Sequence, residues 1–80
     1  MTKAKLTRNE MQTVVDFLQV QHDMLFEMIM DKSTTEKDRE EYKKDEKALR
    51  KFFLAAKEKG LDISKSLYPL ENKIKHIEEA

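Results

Sequence analysis

Two histidines are the only side chains of this chain whose ordinary pKa lies near neutrality, and one of them falls where a carboxylate could meet it. Met11, Val15, Leu18, His22, Leu25 and Ile29 are separated alternately by four and three residues. So are Asp38, Tyr42, Asp45, Leu49, Phe52 and Ala56. That alternation marks a seam along each of two helices. If the chain turns at Ser33 and Thr34, facing positions sum to 67. The layers are then Met11–Ala56, Val15–Phe52, Leu18–Leu49, His22–Asp45, Leu25–Tyr42 and Ile29–Asp38. The polar entries of the two seams coincide, setting an imidazole against a carboxylate. A histidine oriented by an aspartate is part of a general-base device, but no nucleophile has a fixed place beside this one. The expected role of His22 and Asp45 is structural: one polar layer fixes register at some cost in stability.

The other chemistry-bearing residues lead less far. His76 has Asn72 four residues before it and Glu79 three after, too few ligands to hold a metal. With no cysteine, thiolate ligands and disulfides are excluded. No glycine-rich phosphate loop and no H-x-x-x-H pair occurs. Neither metal nor cofactor is expected, and a chain of 80 residues has little volume from which to exclude water around a reaction. Catalysis is not expected.

The elements that position these residues are helices. One Gly, one Pro and 40% charged residues leave few interruptions. Thr7-Arg8-Asn9-Glu10 has the spacing of a capping box, so a first helix is predicted over about 8–31. Its polar residues Gln12, Thr13, Asp16, Gln19, Asp23 and Glu27 fall within an arc of roughly 120°, which suits a solvated face. Ser33-Thr34-Thr35 is the cap-rich turn, Ser33 with Glu36 offers a second capping box, and a second helix is predicted over about 35–59. Gly60 suits a left-handed stop, with Leu61 folding back on Ala56. A connector follows, with a single turn started by Asp62. Pro69 opens a short third helix to about 79. Ile63, Leu67, Leu70, Ile74 and Ile77 repeat the four-and-three spacing and could cover one side of the hairpin. Ala56-x-x-x-Gly60-Leu61 matches the turn of a helix-turn-helix over six residues only, and Pro69 would interrupt the recognition helix. The expected fold is all-α: a single domain over 1–80, a long antiparallel two-helix hairpin with a short third helix packed on it, as a three-helix or dimeric bundle.

Charge narrows the partners. Sixteen basic and sixteen acidic residues cancel, so no bulk attraction to nucleic acid or membrane is implied. Only 32–60 is basic, with ten positive against seven negative groups. Lys43, Lys47, Arg50, Lys51 and Lys57 form the one face that could follow phosphates, diluted by Glu46 and Glu58. The basic start Met1–Arg8 is followed by no apolar run, so no signal peptide is expected. No apolar run exceeds five residues (Phe52–Ala56), nothing spans a bilayer, and a cytoplasmic setting is the expectation.

The first helix carries more apolar residues than one facing helix can cover. Beyond the seam lie Phe17, Val20, Met24, Phe26, Met28 and Met30, and Leu54 stands alone on the charged side of the second helix. Met24 and Met28 suit a core, where unbranched thioethers fill gaps. Phe17, Phe26, Met28 and Met30, with Leu54, are the candidate docking residues. They point to a small interaction module, an adaptor, inhibitor or regulatory subunit working on a protein partner. A homodimer is expected, because a core this small gains from a second copy. The competing class is a nucleic-acid accessory protein using the basic face of the second helix.

Overall fold

The structure, a computed structural model, describes residues 4–80. The first three positions, which belong to the single-domain reading and to the basic start, lie outside the described residues. Three helices make up the fold: α1 over Arg8–Met30, α2 over Glu36–Glu58 and α3 over Leu70–Glu79. The two long helices lie side by side as a hairpin, and α3 packs on α1.

Local chemistry sets each boundary. Thr7 caps α1 with both halves of a capping box: its hydroxyl accepts from the Glu10 amide at 3.1 Å, and its own amide donates to the Glu10 carboxylate at 2.9 Å. The cap of α2 is Thr35, accepting from the Asp38 amide, and not Ser33 as the capping-box spacing suggests. Ser33 is occupied otherwise, since its amide and hydroxyl both donate to Asp31 Oδ1 in an Asx turn. Gly60, at φ 82°, ends α2 in a full Schellman motif, with Leu61 N–H donating to Ala56 O and Gly60 N–H to Lys57 O. Leu61 and Ala56 are both buried in the core cluster.

Each long helix also has its C-terminal carbonyls covered by an arginine from the other. Arg8 reaches Gly60 O at 2.6 Å and Lys59 O at 3.5 Å. Arg39 reaches Ile29 O at 3.0 Å, Asp31 O at 3.1 Å and Thr34 O at 3.2 Å. A cation at a helix C-terminus favours the helix dipole, and here it also binds the two ends of the hairpin.

The hairpin's register differs from the expected one. Arg39 bonds to Ile29, His22 to Glu46, and Val15 shares a cluster with Phe53, so facing positions sum to 68 and not 67. The seam of α2 is built on Arg39, Glu46 and Phe53 in place of Asp38, Asp45 and Phe52. Phe53 is 1% exposed and Phe52 42%. At about 100° per residue this is a rotation of α2 by roughly half that step. The two phenylalanines are equivalent as apolar bulk; the acids are not. Glu46 has Arg50 one turn on to neutralise it, whereas the residue one turn after Asp45 is Leu49. Burying Glu46 is therefore the cheaper choice, and Asp45 stays exposed.

The second departure concerns the polar arc of α1, which holds the chain's own connector and is not a wholly solvated face. The Gln12 carboxamide accepts from Asp62 N–H at 2.8 Å and donates to Asp62 O at 2.7 Å. Gln19 accepts from Lys65 N–H at 2.9 Å, and Asp23 Oδ2 from Leu67 N–H at 2.9 Å. From Gln12 to Asp23 a helix rises about 16 Å, and from Asp62 to Leu67 an extended chain also covers about 16 Å. The connector runs along α1 in the same direction, rung by rung. It contains no helical turn: the Asp62 carboxylate accepts from the amide and hydroxyl of Ser64 instead. Because this stretch is extended, a four-and-three spacing has no helical meaning in it. Leu67 accordingly lies 80% exposed while its amide is tied to Asp23. In α3, Ile77 is buried as expected, and Lys73 is buried beside it.

Candidate interaction surface

Nearly half of the deeply buried residues are polar: Gln19, His22, Asp23, Glu46 and Lys73, against Val15, Ile29, Phe53, Ala56, Leu61 and Ile77. Two networks account for four of the five polar ones. In the first, His22 Nε2 lies 2.9 Å from Glu46 Oε2, and Arg50 donates to both oxygens of the same carboxylate, at 2.6 and 3.0 Å. Burial pushes the Glu46 pKa up, but the hydrogen bonds from His22 and Arg50 outweigh it and hold the carboxyl below its usual range. The edge of the His22 ring meets Phe53 at 5.4 Å between centroids. The expected pairing of His22 with Asp45 is thus replaced by His22 with Glu46, for the charge reason given above.

In the second network Asp23 receives Lys73 Nζ at 2.7 Å, the Ser66 hydroxyl and the Leu67 amide. Burial raises its pKa, and these donors, Lys73 foremost, bring it below normal. A serine 2.7 Å from a lysine amine invites comparison with a nucleophile and its base. Here the lysine donates to the serine oxygen, and the serine proton is directed at Asp23. With the Leu67 amide bound to the same carboxylate, the cluster ties the connector to α1. Among the described residues no group of three or more His, Asp or Glu could hold a metal ion, and no helix is long and apolar enough to cross a membrane.

Away from connector and α3, α1 exposes Val14, Phe17 and Met28, while Val20 and Met24, also exposed, line a second groove beside the connector with Lys65 and Leu67. Residues seven apart share a helix face. Val14, Gln21 and Met28 form one row, and Phe17 and Met24 a second; Val14, Phe17, Met24 and Met28 are all exposed, Phe17 by 63%. Phe52 of α2 joins them across a groove of about 300 Å³ that Leu6, Met11, Val14 and Ala55 also line. Among the described residues this side of the hairpin carries no third element.

Of the candidate docking residues, Phe17, Met28 and Leu54 are exposed and lie where a partner could reach them. Phe26 and Met30 are half-buried. The ring of Phe26 lies 5.5 Å from Tyr68 and 6.4 Å from His76, so it packs against the chain's own C-terminal segment and not outward. Met24, expected in the core, is 52% exposed. Val14 and Phe52 are exposed on this side, although the spacing of Phe52 fits the seam. The candidate phosphate-following face is divided: Arg50 is engaged by Glu46 and Glu78, and Lys43 donates to Ala80 O, whereas Lys47, Lys51 and Lys57 are exposed. Compared with family models, curated proteins and solved structures, the chain finds no match.

Proposed function

We propose that this protein is a small helical interaction module, an adaptor, inhibitor or regulatory subunit that acts by occupying a partner protein's surface through the open face of its hairpin. The observation that supports this most is the division of α1: one side binds the chain's own connector with polar groups, and another presents Val14, Phe17 and Met28 to solvent. An exposed row of large apolar side chains beside an apolar groove is what a docking surface requires, and methionines let such a surface repack around a partner. The extents of the molecule, 46 × 28 × 16 Å, make it a slab whose broad face exceeds the roughly 800 Å² per partner of a stable interface.

The test is affinity capture from the source cell with the wild-type chain and with a Phe17→Glu, Met28→Glu variant. The expected result is a discrete set of proteins held by the first and lost from the second, with helical circular dichroism equal in both. Equal capture by a folded variant overturns the reading.

A further inference from the structure

The heptad rows that carry Phe17, Met24 and Phe52 hold acidic residues at most of their other positions, although the chain as a whole is neutral. Between Asn9 and Met30, α1 contains no lysine or arginine. The row of Phe17 and Met24 begins at Glu10 and leads to Asp31, again at steps of seven. On α2 the row containing Phe52 runs back through Asp45 to Asp38. Glu10, Asp31, Asp38 and Asp45 are all exposed. Lys59, one heptad beyond Phe52 and lining the groove, is the single cation in these rows. Of the other cations of α2, Arg50 reaches across to Glu78 of α3 and Lys43 to Ala80, away from these rows.

From this segregation we infer that the occupant of the open face is a basic amphipathic helix of another protein, its apolar stripe on Phe17, Met24 and Met28 and its cations toward Asp31, Asp38 and Asp45. The inference rests on the docking reading above and specifies its partner. A helix laid in an apolar groove is a common mode of recognition, and opposite charge along its rim sets orientation and speeds encounter. A second copy of this chain is the poorer occupant. Placed with its turn beside the first copy's turn, it sets Asp31, Asp38 and Asp45 against their equals; reversed, it offers them chiefly Lys59. An anionic membrane or a nucleic acid meets the same carboxylates and is repelled.

The experiment uses a designed peptide of about 18 residues with leucines at helical spacing, lysines elsewhere and one tryptophan; at about 1.5 Å per residue it is roughly 27 Å long. The protein has no tryptophan, so emission reports the peptide alone. The comparison peptide has glutamate in place of every lysine. At low salt the lysine peptide is expected to bind at least about tenfold more tightly, with the advantage shrinking as salt screens the exposed charges. Asp38→Asn with Asp45→Asn should remove most of that advantage, and Phe17→Gln with Met28→Gln should abolish binding. Equal affinity for the two peptides overturns the basic partner but leaves the docking face standing. Failure of both peptides with a protein that sediments as a dimer assigns the face to a second copy, again overturning this inference. Failure of both with a monomeric protein, or binding that survives Phe17→Gln and Met28→Gln, overturns the docking reading as well.

Discussion

Nε2 of His22 lies 2.9 Å from Oε2 of Glu46, both side chains sealed from solvent between the two long helices. This contact joins α1 to α2 midway along the hairpin and, with Arg50, makes a three-group cluster. Its cost and its specificity are separable. Removing one partner of a buried pair leaves an uncompensated polar group, a loss of about 3–5 kcal/mol. Glu46→Ala is expected to fall in that range in urea titration, and His22→Leu with Glu46→Leu together to be less damaging than either alone. Asp45→Ala, at an exposed site, should change stability by no more than about 0.5 kcal/mol. Independent, additive effects of His22 and Glu46 in a double-mutant cycle would contradict the contact.

Acid should unfold the protein through the carboxylates of the two buried networks. Glu46 and Asp23 both have folded pKa values below their unfolded ones. As pH falls, the unfolded chain therefore binds protons first, and stability declines. The contribution is fully present above the unfolded values, about 4.3 for Glu and 3.9 for Asp, and is lost as pH drops through the lower folded ones. Urea midpoints measured from pH 7 to pH 2 should fall mainly below about pH 4. Glu46→Gln should flatten that decline, and an unchanged slope would show that Glu46 does not supply it.

Gly60 is the one position where the backbone demands glycine. Its φ of 82° is the left-handed region, and an added Cβ would stand 3.1 Å from Arg8 Nη2, the guanidinium that bonds to Gly60 O. Gly60→Ala should cost about 1–2 kcal/mol from the backbone alone. The effect should be partly shared with Arg8→Ala, because both substitutions disturb one cap. Full additivity in thermal unfolding would separate them.

The connector is held by side-chain hydrogen bonds to α1, so its anchor can be loosened selectively. Lys73→Met removes one charged donor from Asp23 and leaves the Ser66 hydroxyl and the Leu67 amide in place. Lys73 gives up hydrogen bonds to both Asp23 and Ser66 and leaves a buried carboxylate without its cation, a loss of about 3–5 kcal/mol. Backbone amides of 62–68 should then exchange faster with solvent than those of the hairpin. Equal acceleration in Val15 and Phe53 would mean that the connector does not open separately.

Much of this architecture is legible in the residues. Thr7 with Glu10, and Gly60 with Leu61, mark helix ends through local hydrogen bonds that depend on few neighbours. The hairpin follows from the four-and-three spacing. The register does not, because Phe52 and Phe53 satisfy the pattern equally, and the choice lies in whether Glu46 or Asp45 can bring a compensating cation inside. The polar arc of α1 is misleading for a related reason. Gln12, Gln19 and Asp23 have the composition of a solvated face, and only the later chain shows that backbone amides of 62–67 come to meet them. Phe26 and Met24 exchange their expected environments as a consequence, since the covered side of α1 is fixed by the path of the connector.

The division of α1, one side bound to its own connector and another exposing Val14, Phe17 and Met28, is the feature on which both the fold and the proposal depend. It is tested most directly by comparing the thermal midpoints of two double variants at low protein concentration. Phe17→Ser with Met28→Ser should leave the midpoint within a few degrees of wild type, whereas Gln19→Leu with Asp23→Leu should lower it clearly. A large drop for the first pair and none for the second would show that the apolar side is the one folding depends on.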